Sequence, residues 1–544
     1  MLGLMQDRPL LITTMMEHAA HYHRDGEVVT KAVEGGIHRT TYGEVIKRAA
    51  KLANALSALG IAQGDCISTL AWNTYRHLEL YLAVPCMGSL LNTVNPRLYP
   101  EQLTYILNHA EARILFLDLT FVGLIEKLAA TFPKVEKFVI MTDRAHMPDT
   151  SLTNVLCYED LIADEDETYD WPDLDENTAA GLCYTSGTTG HPKGALYSHR
   201  STVLHSFSTC SKDSLGISNR DTVMPLVPMF HVNAWGTPHS ALMTGSKLVF
   251  PGADMTGENF FNLLRNEGCT ITLGVPTIWL ALLQYVATLE DQDFSDLPIE
   301  HFVIGGSAAA PSLIESLEKT FGATVLHAWG MTETSPLGSV NRPLIKHDSL
   351  SHAEQLALKT NQGRPPFGVE MKIVDDEGHE LPRDGVAFGR LMVRGPWVAK
   401  AYFKQPDLNI LDEEGYFDTG DVSTLNPDGY MTIVDRSKDV IKSGGEWISS
   451  IDLENVASGH PQVAEAAVIG IAHPKWQERP LLIILPHPGE SPSKQDILDY
   501  LKGKIAKWWT PDDVVFVDEM PHTATGKIQK RDLRVIYKDF TFKE

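Results

Sequence analysis

Between Cys269 and Gly330 the chain repeats one pattern: a short apolar run, a turn, a longer amphipathic stretch, then another short apolar run. "CTITLGVP" reads as a buried strand and "TIWLALLQYVATL" as the helix after it. "HFVIGG" is a second strand and "APSLIESLEKTFG" a second helix, with Pro311 in its first turn and Gly322 ending it. "ATVLHAWG" closes the run as a third strand. Strands joined through helices of this length run parallel, in a sheet covered on both faces. The alternation extends through most of the sequence, and 544 residues are too many for one core. Beyond "NPDGYMTIVDRSKDVIKSGGEW" the order changes to helix, strand, strand, helix ("KQDILDYLKGKIAKW"), strand, which is the size of a small α+β domain. The expectation is an α/β fold. A large N-terminal domain of several subdomains with mostly parallel sheets spans 1–435, a hinge spans 436–441 within "DRSKD" and its flank, and a small mobile α+β C-terminal domain spans 442–544.

The stretch "YTSGTTGHPKG" (184–194) gathers Gly187, Gly190 and Gly194, the hydroxyls of Thr185, Ser186, Thr188 and Thr189, and one lysine, Lys193. Glycines let successive backbone N–H groups converge, and hydroxyls and an ammonium add donors, so phosphate is the natural ligand. The Walker spacing fails, because Pro192 stands where glycine should and Gly194 where Ser or Thr should. Both flanks, "GLCYT" and "GALYS", read as strands, with Ser198 as the N-cap of a following helix. This loop joins two strands and is a phosphate loop of another type.

Charge excludes one class of partner. Lys and Arg total 46 against 70 Asp and Glu, a formal −24, which repels a nucleic-acid backbone. The six cysteines form no C-x-x-C, the start "MLGLMQDRPLLITTMM" has no basic region before its apolar run, and no apolar stretch reaches membrane-spanning length. A cytoplasmic protein with reduced thiols and no integral-membrane segment is expected; monomer and homodimer both fit. His18, His21 and His23 lack the spacing of a metal site. "GGSAA" ends in Ala309 where a nucleophile elbow needs glycine, which weakens a serine-hydrolase reading.

The loop resembles the signature of the adenylate-forming superfamily. The resemblance continues through "MFHVNAWG" (229–236), "GVPT" (274–277), "GGSAAAP" (305–311), "HAWGMTETSP" (327–336), "GYFDTGD" (415–421), "DRSKDVIKSGGEWIS" (435–449) and "TATGKIQK" (523–530). It is strongest toward the medium- and long-chain fatty acyl-CoA synthetases, including the subgroup that activates methylthio-substituted propionate. The activity so implied is acid-thiol ligation: an acid and ATP give acyl-AMP and pyrophosphate, and CoA then takes the acyl group. Loading of a carrier protein is the nearest alternative, and a non-catalytic nucleotide sensor a distant one.

The resemblance implies a role for each matching residue. Thr185, Ser186, Gly187, Thr188, Thr189, Gly190 and Lys193 hold the β- and γ-phosphates, and Thr332 touches the α-phosphate. Glu333 holds Mg²⁺ together with Thr185. Ala328, Trp329 and Gly330 lie along adenine, and Asp421 holds the ribose, assisted by Arg436; Lys438 completes the nucleotide set and aligns with the hinge position. Lys527 reaches the reacting centre as the catalytic lysine. His231 orients the carboxylate, and Val232, Trp235, Gly305 and Gly306 line the acyl site, with Trp235 as its gate. Lys442, Gly444, Gly445 and Trp447 line the channel for CoA. Amino-acid-activating relatives carry aspartate at the place of His231, so an α-amino acid substrate is disfavoured.

Overall fold

Residues 1, 3–185, 191–290, 293–443, 446–522 and 528–542 are described by the computed structural model of the chain, residues 446 and 447 by their backbone alone. Among them the strands form four sheets. In the first, Val155–Cys157, Lys137–Ile140, Ala112–Leu117, Cys66–Leu70, Leu90–Thr93 and Ala179–Tyr184 lie side by side and parallel, and Gly194–Ser198 is added antiparallel at one edge. In the second, Thr324–Gly330, His301–Ile304, Ile271–Gly274, Thr222–Pro225, Lys247–Phe250 and Glu27–Lys31 are parallel, between antiparallel edge strands Leu337–Val340 and Ile37–Thr41.

These strands read as continuous apolar runs because both sheet faces are covered. A single apolar cluster joins the two sheets, with Ile67 and Phe116 from one and Val223, Leu273 and Leu326 from the other. The helices Tyr42–Ala58 and Tyr75–Cys86 fill the space between, and the second is buried on every face, including Arg76, His77 and Glu79. The expected strand–helix order from 269 to 330 is present: helix Pro276–Val286 follows Ile271–Gly274, and helix Pro311–Phe321 starts on its proline and ends at Gly322 with φ 68°.

A third sheet is fully antiparallel: Glu370–Val374, Phe388–Arg394, Phe417–Leu425 and Met431–Arg436. The parallel-sheet expectation did not single it out. The fourth carries Glu446–Ile448, Ile441–Ser443, Gln477–Pro486, Val463–His473 and Asp513–Phe516. Helices Ser450–Ala457, Lys494–Leu501 and Lys530–Ile536 accompany it. The expected helix over "KQDILDYLKGKIAKW" stops at Leu501, because Gly503 takes φ 79° and breaks the pattern. No helix among the described residues is long and apolar enough to cross a membrane.

Candidate active site

Strands Ala179–Tyr184 and Gly194–Ser198 are antiparallel neighbours, so the phosphate-type loop is a hairpin connection rather than a strand-to-helix turn. At its base the Thr185 N–H donates to the Lys193 carbonyl at 2.9 Å, and the Lys193 N–H to Thr185 Oγ1 at 3.3 Å. Ser198 caps helix His199–Cys210 by accepting from the Ser201 N–H, as its position in the sequence predicts. Ser186, Gly187, Thr188, Thr189 and Gly190 lie outside the described residues.

Thr332 and Glu333 sit in a single 3₁₀ turn after strand Thr324–Gly330, both buried. The Tyr402 hydroxyl donates to Glu333 Oε1 at 2.6 Å, and the Lys193 ammonium lies 4.8 Å from the centre of the same tyrosine ring. Burial and the Glu333 charge keep the Tyr402 hydroxyl protonated, so it remains a donor. The Tyr197 hydroxyl donates to the Thr332 carbonyl at 2.7 Å, and the Ala399 N–H to that of Glu333 at the same distance. Two chain segments, around Tyr197 and over 399–402, thus fix the turn, and a cavity of about 450 Å³ opens beside Lys193 and Tyr402, lined also by Arg390, Asp412 and Asp418.

Asp421 is the next anchor. Its register opposite Arg436 in the antiparallel sheet brings Arg436 Nε to 2.7 Å from one carboxylate oxygen. The other oxygen accepts the Trp329 indole N–H at 2.9 Å. Ala328, Trp329 and Gly330 are therefore coupled to Asp421, with Trp329 serving at once as core residue and hydrogen-bond donor. Gly330 sits at a bulge where a Cβ would meet the Pro336 carbonyl at 2.0 Å, so only glycine fits.

His231, Val232 and Trp235 belong to a backbone feature that no residue pattern announced. Val232, Asn233, Ala234 and Trp235 have φ of 47°, 53°, 47° and 56°, a left-handed turn without glycine. Its braces are buried and polar. Asn73 holds the Pro225 and Val227 carbonyls and the Met229 N–H, and the Tyr81 hydroxyl donates to the Met229 carbonyl and to Asn233 Oδ1. Gly236 closes the turn where a Cβ would meet the His205 ring at 2.7 Å. Trp235 lies against Gly305, where a Cβ would stand 2.8 Å from the indole; Gly306 follows with φ 82°. Burial holds His205 at about 3 and His239 at about 4, so both are neutral spacers behind the turn.

Lys442 lies on strand Ile441–Ser443, its N–H on the Glu478 carboxylate at 2.9 Å, and Lys438 falls between the third and fourth sheets. Gly444, Gly445, the Trp447 side chain and Lys527 lie outside the described residues. Sequence reading overlooked Tyr402, Tyr197, Asn73 and Tyr81. Each acts through a contact distant in the chain, and only the strand alternation around Tyr197 gave an inward-pointing signal.

Residues 16–403 match the AMP-binding enzyme family, and residues 452–527 the AMP-binding enzyme C-terminal domain. A 3-methylmercaptopropionyl-CoA ligase of Ruegeria lacuscaerulensis is 52% identical, over 99% of this chain and 99% of its own. A medium-chain-fatty-acid–CoA ligase of Ectopseudomonas oleovorans is 49% identical, over 99% and 98%. The crystal structure of the anthranilate CoA ligase AuaEII in complex with anthranoyl-AMP superposes with a TM-score of 0.84 at 27% identity, covering 98% of this chain and 99% of that one. The chain belongs to the AMP-binding enzyme family, among its AMP-forming acyl-CoA ligases.

Proposed function

We propose that the acid is short to medium in length and uncharged beyond its carboxylate, of the 3-methylmercaptopropionate or medium-chain fatty type. The observation that carries this reading is the contact of Trp235 with Gly305, read here as a gate that ends the acyl side after a short or medium chain. The names of the two curated relatives support it from outside. A carboxylate oxygen of the acid attacks the α-phosphorus of ATP, and the bond to the bridging oxygen of the β-phosphate breaks to release pyrophosphate. The sulfur of CoA, its proton passed to water, then attacks the acyl carbon, and the C–O bond to AMP breaks.

Lys193 and Thr185 meet the outer phosphates, Asp421 and Arg436 the ribose, Thr332 the α-phosphate, and His231 the acid. Glu333 fits a magnesium site. It is a buried carboxylate with one oxygen on Tyr402, and no cationic side chain pairs with it among the described residues. Bound there with Thr185, the ion would neutralise phosphate charge. Lys527 serves the first half-reaction and the segment 442–447 the second, so the C-terminal body must swivel about 436–441 between them.

The test is turnover with ATP, Mg²⁺ and CoA across straight-chain acids from propionate to palmitate, with 3-methylmercaptopropionate included. AMP and pyrophosphate are expected in equal amounts, with the highest kcat/KM among the short and medium acids. ADP and orthophosphate would refute adenylation. Palmitate as the best substrate would refute that gate.

A further inference from the structure

A buried ionic cluster lies where the third sheet hands over to the fourth, next to Arg436, whose N–H donates to Asp435 Oδ1 at 2.8 Å. Asp435, next to last in strand Met431–Arg436, is 1% exposed. Its Oδ2 accepts the Ser450 N–H at 2.7 Å, at the first turn of helix Ser450–Ala457. Beside it the Ser449 hydroxyl donates to the Val434 carbonyl at 2.5 Å. Lys530, from helix Lys530–Ile536, donates to Ser450 Oγ at 2.5 Å and pairs with Glu454 at 2.7 Å, its charge facing Asp435 and Asp439 as well. Arg534 of the same helix pairs with Asp439.

The members differ in which side of 436–441 they occupy. Lys530, Glu454, Ser449 and Ser450 follow that segment, whereas Asp435 and Val434 precede it on the sheet that carries Asp421. A swivel about 436–441 leaves the Lys530–Glu454 pair intact and must break the contacts of Asp435 and Val434. We propose that Asp435 is a positioning residue for both half-reactions, its carboxylate latching the C-terminal body through the Ser450 N–H and the nearby Lys530 charge. The proposal rests on the swivel set out under the proposed function.

The latch is a bias rather than a lock. A carboxylate on the first N–H groups of a helix gains from a charge-assisted hydrogen bond and from the helix dipole. Burial opposes that gain: it raises the Asp435 carboxyl above its ordinary value, and opening returns the group to water. A contact of this kind weights a two-state equilibrium by about tenfold.

Two variants remove it by different means. Asp435→Asn keeps the size and loses the charge. Ser450→Pro deletes the donor N–H at a first helical position, where proline is tolerated, and Ser449 already has the extended φ −72°, ψ 116° that a residue before proline adopts. Cysteines introduced at the exposed Tyr22 and Phe516, in a Cys210→Ser background, carry spin labels for a distance distribution across the two bodies. Without ligands, both variants should transfer about tenfold more weight to a second distance and change the ratio of the two half-reaction rates. Distributions matching wild type in both variants would refute the latch, as would equal loss of both half-reactions. A wild-type distance that neither an acyl-adenylate analogue nor CoA moves would refute the swivel itself.

Discussion

Replacing Tyr402 by phenylalanine removes one hydroxyl from beneath the candidate phosphate site and leaves the ring. That hydroxyl donates at 2.6 Å to a carboxylate oxygen of Glu333, a side chain 5% exposed. A hydrogen bond to a charged acceptor contributes about 1.5–3 kcal/mol, and Tyr402→Phe takes that donor from the buried oxygen. At about 1.4 kcal/mol per factor of ten, adenylate formation should fall about ten- to a hundredfold if the orientation of Glu333 is what the first step needs. Lys193, 4.8 Å from the ring centre, keeps its aromatic platform in this variant. Tyr402→Leu removes that too and should cost about a further 0.5–2 kcal/mol. The assay is ATP–pyrophosphate exchange as a function of Mg²⁺, beside thioester formation from synthetic acyl adenylate and CoA. Exchange should weaken and require more Mg²⁺, while the second step stays within about twofold of wild type. Exchange unchanged in Tyr402→Phe, or equal loss in both steps, would refute the reasoning.

Lys527→Ala should cut adenylate formation by orders of magnitude yet spare thioester formation from supplied acyl adenylate; quench-flow of each half-reaction decides. Gly305→Ala puts a methyl 2.8 Å from the Trp235 ring and should lower kcat/KM more for longer acids than for propionate, with the KM for ATP unchanged. Asp421→Ala leaves the Trp329 N–H buried without its acceptor and Arg436 without its partner, so it should lower stability by about 1–3 kcal/mol and raise the KM for ATP. Burial holds His77, His199, His239 and His327 at about 4 and His205 at about 3, against 6.5 for an ordinary histidine. Only the unfolded chain binds these protons as pH falls below 6.5, so each residue should remove up to about 1.4 kcal/mol of stability per pH unit down to its folded value. Denaturant unfolding at neutral pH and near pH 5 measures this, and equal stabilities would contradict it.

The hairpin beneath the phosphate-type loop was legible because apolar strand runs, glycines and a capping serine all agree locally at 179–199. The parallel sheets were legible for the same reason. The antiparallel sheet over 370–436 carried the turn signals "DDEGHE" and "NPDGY", but its strands alternate less clearly beside the long parallel pattern. Tyr402 is bound to Glu333 across 69 residues, and Trp329 to Asp421 across 92. Such pairings follow from tertiary register, which local spacing does not encode. The turn at 232–235 was invisible because valine, alanine and tryptophan rarely take left-handed backbone, and one asparagine does not announce four such residues in a row.

With Trp235 as the proposed gate, that turn would make acid preference an inherited property of residues that never meet an acid. Each non-glycine residue held left-handed costs about 1–2 kcal/mol, so the segment exists only while Asn73, Tyr81 and the packing under Gly236 outweigh its tendency to relax. Trp235 rides on it. Genetic drift or laboratory selection at Asn73 or Tyr81 therefore reaches the substrate through the backbone, and new acid ranges can emerge in descendants whose pocket linings are unaltered.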